Sequence, residues 1–470
     1  MKIVLVLPDG VGIRNFLCTR FIDQLLADGE VVIWHGLADN LVALHRGRWG
    51  DRVRWERLPH YHEGVLERLV RPAKAQAQLH AFAQEDHYDC IRRTRLIARR
   101  RMSLQGTVVQ GTADLLGRAF ASVRGAARLD AWHFRRAAAS PLLPVYVNFL
   151  QQEHPDVIFC AHQRAVTAVP CLIAARQLGI PSATFVYSWD NLPKGRMAVP
   201  ADHYLLWSDL MRDEMRRYYP EKPEASLHVC GTPQFEHYFN TTLFEEREPF
   251  LRRLGLDPAR KLVLFSGDDM ATSPFDPCYL ADLAAALRRL PETARPQICF
   301  RRCPADLSKR YQSVLEQYPE IVVSEPAWID TGDGNWTQTV PTMDDVRLLC
   351  NLARHCNVVV NVGSTMAMDF AIFDNPTVFL AYDPPPALST PFRIADIYGY
   401  PHYKRFDQLQ PVHWAKSAAT LGEIVMHALA HPQEKAEARR RWVEAQVCQP
   451  MDQASERLVA ALRAIAGGKA

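Results

Sequence analysis

Short β-branched runs alternate along the chain with longer stretches whose apolar residues recur at helical spacing, the pattern of βαβ units around a parallel sheet. In the first half, residues 3–7, 31–34, 157–160, 183–187, 203–207 and 227–230 read as strands, and helices are predicted near 15–28 and over 166–178 and 208–218. Gly179-Ile180-Pro181 suits a helix end, because Gly accepts the left-handed conformation and Pro prevents continuation. From about residue 239 to 260 the pattern lapses into a polar stretch, Asn240-Thr241-Thr242 through Glu245-Glu246-Arg247-Glu248. Strand-like runs then resume at 262–265, 297–301, 321–323, 357–362 and 377–380, with helices over 279–290, 309–317, 346–355 and 366–373. The pattern predicts an α/β protein of two Rossmann-like domains, 1–240 and 260–432, with a closing helix in 433–470. Ligand is expected in the cleft where the carboxyl ends of the two sets of strands face each other.

A length of 470 residues fits two large cores, and 48% hydrophobic with 23% charged residues excludes a disordered or collagen-like chain. The longest apolar runs are strand-sized, well short of the roughly 20 residues of a membrane span. The N-terminal run reaches Pro8 and Asp9 too soon for a signal-peptide core, so a cytoplasmic protein is expected. The eleven cysteines form no CxxC pair and lie mostly in apolar strands, which argues against zinc and disulfide frameworks.

One segment breaks the array. A helical insertion, about residues 62–150, interrupts the first domain. From Arg92 to Arg136 within it, Arg92, Arg93, Arg95, Arg99, Arg100, Arg101, Arg118, Arg124, Arg128, Arg135 and Arg136 are opposed only by Asp114 and Asp130, a local charge of +9. A solvated helical face is one reading; attraction to an anionic membrane, hence a place at the inner face of the cytoplasmic membrane, or to a phosphorylated acceptor is the other. Nucleic acid is not expected, since only Phe120, Trp132 and Phe134 interleave the charge and no recognised motif accompanies it.

Three turns carry candidate binding chemistry. At Gly363-Ser364-Thr365 a buried strand gives way to a helix, where a close backbone and free amides suit a phosphate, with Asp369 one turn on to meet a ribose hydroxyl or line the cleft. Ser266 and Gly267 end another strand and can present hydroxyl and amide donors. Arg301 and Arg302 end a third with guanidinium groups suited to bidentate phosphate binding. In the first half, Ser188-Trp189-Asp190-Asn191 follows a strand and offers polar groups beside an aromatic ring, as a sugar site requires. Asp190, Asp9 and His162 are the three candidates for a general base that deprotonates an acceptor hydroxyl.

The second half resembles the nucleotide-binding domain of glycosyltransferases of the two-Rossmann GT-B fold, especially bacterial surface-polysaccharide enzymes related to the CDP-glycerol glycerophosphotransferases. Arg301-Arg302-Cys303-Pro304-Ala305-Asp306 fits their strand-end motif, with Cys303 in the place of a histidine. Gly363-Ser364-Thr365 with Asp369 and Pro376 fits the second motif, and Met451-Asp452-Gln453-Ala454-Ser455-Glu456-Arg457 resembles their C-terminal ending. In the first half, Tyr187 to Arg196, Trp207 and Gly231-Thr232-Pro233 resemble segments of polysaccharide-locus transferases of this fold. The resemblance implies a metal-independent glycosyltransferase without resident cofactor, moving a sugar from a nucleotide sugar to a saccharide or lipid-linked acceptor. A nucleotide-sugar 2-epimerase, a CDP-alditol phosphotransferase and a non-catalytic GT-B-like binding protein are the alternatives.

Overall fold

The computed structural model describes residues 1–85, 90–91, 103–270, 272–329, 336–403 and 405–468. Two parallel sheets organise it. The first has seven strands, β1 (Lys2–Leu7), β2 (Glu30–His35), β3 (Val53–Arg57), β4 (Val157–Cys160), β5 (Ser182–Phe185), β6 (His203–Leu206) and β7 (Leu227–Val229), in the order β3-β2-β1-β4-β5-β6-β7. The second contains β8 (Leu262–Ser266), β9 (Gln297–Arg301), β10 (Val322–Val323), β13 (Val358–Asn361), β14 (Thr377–Leu380) and β15 (His413–Ala415), in the order β10-β9-β8-β13-β14-β15. The antiparallel pair β11 (Trp328–Ile329) and β12 (Val340–Pro341) stands apart.

These central strands are apolar on both faces because helices cover both faces of a parallel sheet. Residues 3–7 of β1, all of β4, all of β8 and all of β13 are buried. The strand order reverses between β1 and β4 in the first sheet and between β8 and β13 in the second. At such a switch point the flanking loops diverge to opposite faces and leave a crevice beyond the carboxyl ends of the strands. The loops after β1, β4, β8 and β13 therefore hold Asp9, His162, Gly267 and Gly363-Ser364-Thr365 around two such crevices.

The predicted helix over 15–28 is two short ones, Ile13–Phe16 and Phe21–Leu25. Arg48 explains the break: its guanidinium takes the carbonyls of Leu17 at 2.8 Å and Thr19 at 3.1 Å, while the Thr19 hydroxyl donates to the Asn15 carbonyl at 2.6 Å. Edge strands β3 and β15 and the β11–β12 pair add to the predicted set.

Between β3 and β4 stand the helices Val65–Ala81, Leu104–Ala119, Val123–Ala137 and Leu143–Glu153. The first three share a small core of their own, built from Val70, Ala73, Ala77, Ala113, Ala126 and Leu129. A buried charge cluster clips them to the first sheet: Asp130 meets Lys74 at 2.9 Å and accepts from Arg196 Nε at 2.7 Å, and Arg196 Nη1 donates to the Tyr218 carbonyl at 2.9 Å. Arg92, Arg93, Arg95, Arg99, Arg100 and Arg101 lie outside the described residues.

The C-terminal segment is two helices, Ala436–Gln446 and Ala454–Ala466, with Pro450, which has no amide hydrogen to donate, between them. It returns to the first half, where Ser455 Oγ donates to Glu236 at 2.9 Å and Arg457 Nε to the Cys230 carbonyl at 2.9 Å. Among the described residues no helix is long and apolar enough to cross a membrane.

Candidate active site

At the first switch point Asp9 and His162 form a pair. Asp9 Oδ1 accepts from the Val11 amide at 3.1 Å and so starts a short 3-10 turn; its Oδ2 lies 2.7 Å from His162 Nδ1. An ionised carboxylate can only accept, so Nδ1 carries the proton and the lone pair resides on Nε2, which has no protein partner among the described residues. The ring edge is set by Tyr187, 4.8 Å away and near perpendicular. An imidazole oriented through Nδ1 in this way is chemically a general base, and Asp9 is its positioning group.

At the second crevice a cavity of about 210 Å³ is lined from both halves: Trp189, Asp190 and Lys194 from the first, Asp268, Gly363-Ser364-Thr365, His402 and Tyr403 from the second. The indole Nε1 of Trp189 donates to Thr365 Oγ1 at 3.2 Å, so the halves touch at the site itself. Gly363 has φ +64°, and an added Cβ would collide with the Tyr403 hydroxyl, which donates to the Gly363 carbonyl. Only glycine fits that corner. The Ser364 amide is taken by Asn361 Oδ1 at 3.0 Å; the Thr365 amide has no partner among the described residues. The helix Met366–Ala371 is short, so hydroxyls and a nearby cation must carry most of any anion binding.

That cation is Lys194. It pairs with Asp190, which also accepts from Ser188 Oγ at 2.6 Å and Asn191 Nδ2 at 2.9 Å. Burial alone would raise the Asp190 pKa, but the Lys194 ammonium and these donors outweigh it and hold the carboxyl well below the usual range. Asp190 is thereby a firm anion and a weak base. Asp268 is the reverse case. Burial first, then the neighbouring Asp276 and Asp269 carboxylates, push it well above the usual range, and its Oδ2 is buried without a partner. His402 is pushed down to about 3 by burial and by Lys194, and is a neutral ring at physiological pH. Their surroundings thus push the two carboxyls of the cavity in opposite directions, the arrangement that separates acid from base roles.

The loop bearing Asp190 and Lys194 is fixed from outside. Gln163, next to His162, donates through Nε2 to Asn191 Oδ1 at 2.7 Å and accepts through Oε1 from the Tyr187 amide at 3.2 Å, so the two clusters share a brace. Gln78 of the inserted helices donates to the Leu192 carbonyl at 2.9 Å.

Other predicted residues have different surroundings. Arg301 is buried and donates through Nη2 to both oxygens of Asp345, at 2.8 and 3.0 Å, which also collects the Trp328 indole at 2.6 Å. Its guanidinium supports β11 rather than opening to the cavity. Arg302 makes a bidentate surface pair with Glu325 at 2.7 and 2.6 Å. Gly267 packs under Tyr311, whose hydroxyl lies 2.6 Å from the place of a Cβ, and its amide continues the sheet to the Arg301 carbonyl at 2.9 Å; Ser266 is buried at the end of β8. Asp369 is buried between the halves: it accepts from the Tyr238 hydroxyl at 2.6 Å and faces Arg14 at 3.8 Å. These contacts place it at the joint between the halves.

Lys194, Asp268, His402 and Tyr403 were not assigned roles from sequence. Lys194 had a signal, a cation four residues after Asp190 in Asp190-Asn191-Leu192-Pro193-Lys194; so did the aromatic run Tyr398 to Tyr403.

No protein-family model matches the chain, and no curated relative does. Solved structures do match over nearly the whole length. A putative UDP-N-acetylglucosamine 2-epimerase from Listeria monocytogenes aligns with TM-score 0.55 at 11% identity, covering 98% of this chain and 96% of its own. A UDP-GlcNAc 2-epimerase from Neisseria meningitidis aligns at 0.53 and 10%, covering 98% and 100%, and a glycosyltransferase from Rickettsia africae at 0.52 and 9%, covering 99% and 98%. At these identities the likeness is one of fold. The chain has a two-domain GT-B-type architecture.

Proposed function

We propose that the chain is a GT-B glycosyltransferase that moves a sugar from a nucleotide donor to a hydroxyl of a saccharide or lipid-linked acceptor in surface-polysaccharide synthesis, without a catalytic metal. The observation that carries this is the Asp9–His162 pair, a base held in one tautomer at a switch point and braced through Gln163 to the loop that lines the polar cavity with Asp190 and Lys194. In this reading His162 Nε2 takes the acceptor proton. Gly363, Ser364, Thr365 and Lys194 receive the donor diphosphate, and Trp189 supplies a face for a sugar ring. Kinship to the CDP-glycerol glycerophosphotransferases belongs to the same proposal and rests on the Gly363-Ser364-Thr365, Asp369 and Pro376 run.

A second reading is nucleotide-sugar 2-epimerisation, which uses the same cavity and needs no acceptor. The fold neighbours named above include such enzymes. Titration of nucleoside diphosphates and nucleotide sugars tests the shared site. Ser364→Ala, Thr365→Ala and Lys194→Met should each weaken binding by about 1.5 to 3 kcal/mol, roughly ten- to hundredfold, as loss of a charged hydrogen bond does. Unchanged affinity in all three removes the cavity from the proposal. Turnover without acceptor decides for the epimerase.

The same proposal includes peripheral contact with an anionic membrane. Leu104, Val108 and Leu115 are 88%, 63% and 69% exposed on the helix Leu104–Ala119, at spacings that put them on one face. Arg118, Arg124, Arg128, Arg135 and Arg136 are exposed on the same helical insertion.

A further inference from the structure

We infer that His413, His427 and Glu434 form a binding site for a divalent transition-metal ion of the zinc class, on the side of the second domain opposite the cleft. One ring nitrogen of each histidine and one Glu434 carboxylate oxygen lie within 4.8 Å of one another. Two nitrogens and one carboxylate oxygen are a ligand set that such ions take, with water in the fourth place. Around a tetrahedral ion with bonds of about 2.1 Å the donors stand about 3.4 Å apart, so closure requires only side-chain adjustment. The two groups able to adjust are the exposed ones, His427 and Glu434, which already meet Nε2 to Oε2. His413 is the fixed member, 7% exposed, and its Nε2 is buried without a hydrogen-bond partner. A buried imidazole nitrogen left unpaired costs free energy that a metal bond would offset.

The topology gathers these residues from three elements. His413 is the first residue of β15, so it lies at the amino end of a parallel strand, whereas the cavity lies beyond the carboxyl ends. The helix Ala418–Ala430 runs back along the sheet and brings His427, in its last turn, to that same end. The chain then turns, with the Glu434 amide on the His431 carbonyl at 3.1 Å, which sets Glu434 beside His427. The Lys435 ammonium, the adjacent cation, is directed to the Gln410 carbonyl at 3.3 Å. An ion here would tie β15 and its helix to the start of Ala436–Gln446. That helix carries Arg439, which donates to the Pro432 carbonyl and to Asp374 Oδ1, both at 2.6 Å, and Trp442, which packs against Trp189. The ion would therefore brace the returning segment rather than enter the reaction.

The test uses the full chain freed of any polyhistidine tag, stripped with chelator and dialysed against zinc. One equivalent retained, a rise in melting temperature with zinc, and a cobalt spectrum without a thiolate charge-transfer band are expected. His427→Ala and Glu434→Gln change exposed side chains, so they should fold as the parent does while weakening zinc at least about tenfold. No retained zinc, retention indifferent to both substitutions, or a thiolate band that places the ion on cysteine would each overturn the site.

Discussion

Replacing Asp9 by Asn tests the proposed base most directly, because the two oxygens of Asp9 have different partners. Oδ1 must accept from the Val11 amide at 3.1 Å, and Oδ2 accepts from His162 Nδ1 at 2.7 Å. An asparagine has one oxygen. If that oxygen stays on the Val11 amide, its NH2 group faces His162 and can only donate, so Nδ1 must become the acceptor and the proton moves to Nε2. The imidazole is then present, of the same size and in the same place, yet cannot accept a proton at Nε2. The opposite flip would set two donors against each other at Val11, which disfavours it. General-base catalysis contributes about 10²- to 10⁴-fold, equivalent to about 3 to 5 kcal/mol of barrier, and the Asn variant should lose that much in kcat. Nucleotide binding should persist, since Gly363, Ser364, Thr365 and Lys194 are untouched. Nitrogen-15 shifts of the His162 ring read the tautomer independently of any acceptor. An unchanged tautomer, or turnover within about threefold of the parent, refutes the reasoning and shifts the base elsewhere.

Three more outcomes follow from the geometry. Gly363→Ala should lower stability by at least about 1 to 2 kcal/mol, measured by urea unfolding, because φ of +64° is left-handed and a methyl collides with Tyr403; an unchanged midpoint would mean the corner relaxes freely. Burial pushes Asp276 up to about 6 in the folded chain against 3.8 for an ordinary Asp, so its contribution to stability is full below about pH 4 and is lost as pH rises through about 6. Urea midpoints should fall across that window, and Asp268→Asn, which removes a second buried carboxyl whose raised pKa adds to the same loss, should flatten the fall; equal slopes would contradict it. Leu104→Glu with Val108→Glu should release the chain from anionic vesicles at low salt, each buried leucine-sized side chain being worth about 1.5 to 3 kcal/mol, whereas undiminished co-sedimentation would dismiss that helix as the contact.

The strands of both sheets were legible because burial on two faces leaves near-continuous apolar runs; Gln297–Arg301 and Thr377–Leu380 fall where the pattern puts them. Two of the edge strands were not. Val53–Arg57 alternates buried and exposed residues, and His413–Ala415 is too short to form a run. The helix expected over 15–28 looked sound by periodicity, and only Arg48, distant in sequence, takes the carbonyls it would have used.

The candidate site divides in the same way. Turn residues at the carboxyl ends of central strands could be placed from sequence, because parallel order and a switch point locate a crevice whatever the side chains are. What each charged residue does could not, because its partner sets its availability. Arg301 was attractive as a phosphate ligand until Asp345, 44 positions on, supplied a carboxylate for both bonds. Asp369 sits one turn from Thr365, yet Tyr238 and Arg14 come from the other half to meet it. The helix Met366–Ala371 thus faces the cavity at its start and anchors the joint between domains along its length. A residue on it serves the ligand or the joint according to which turn it occupies, and that distinction exists only once both halves are folded against each other.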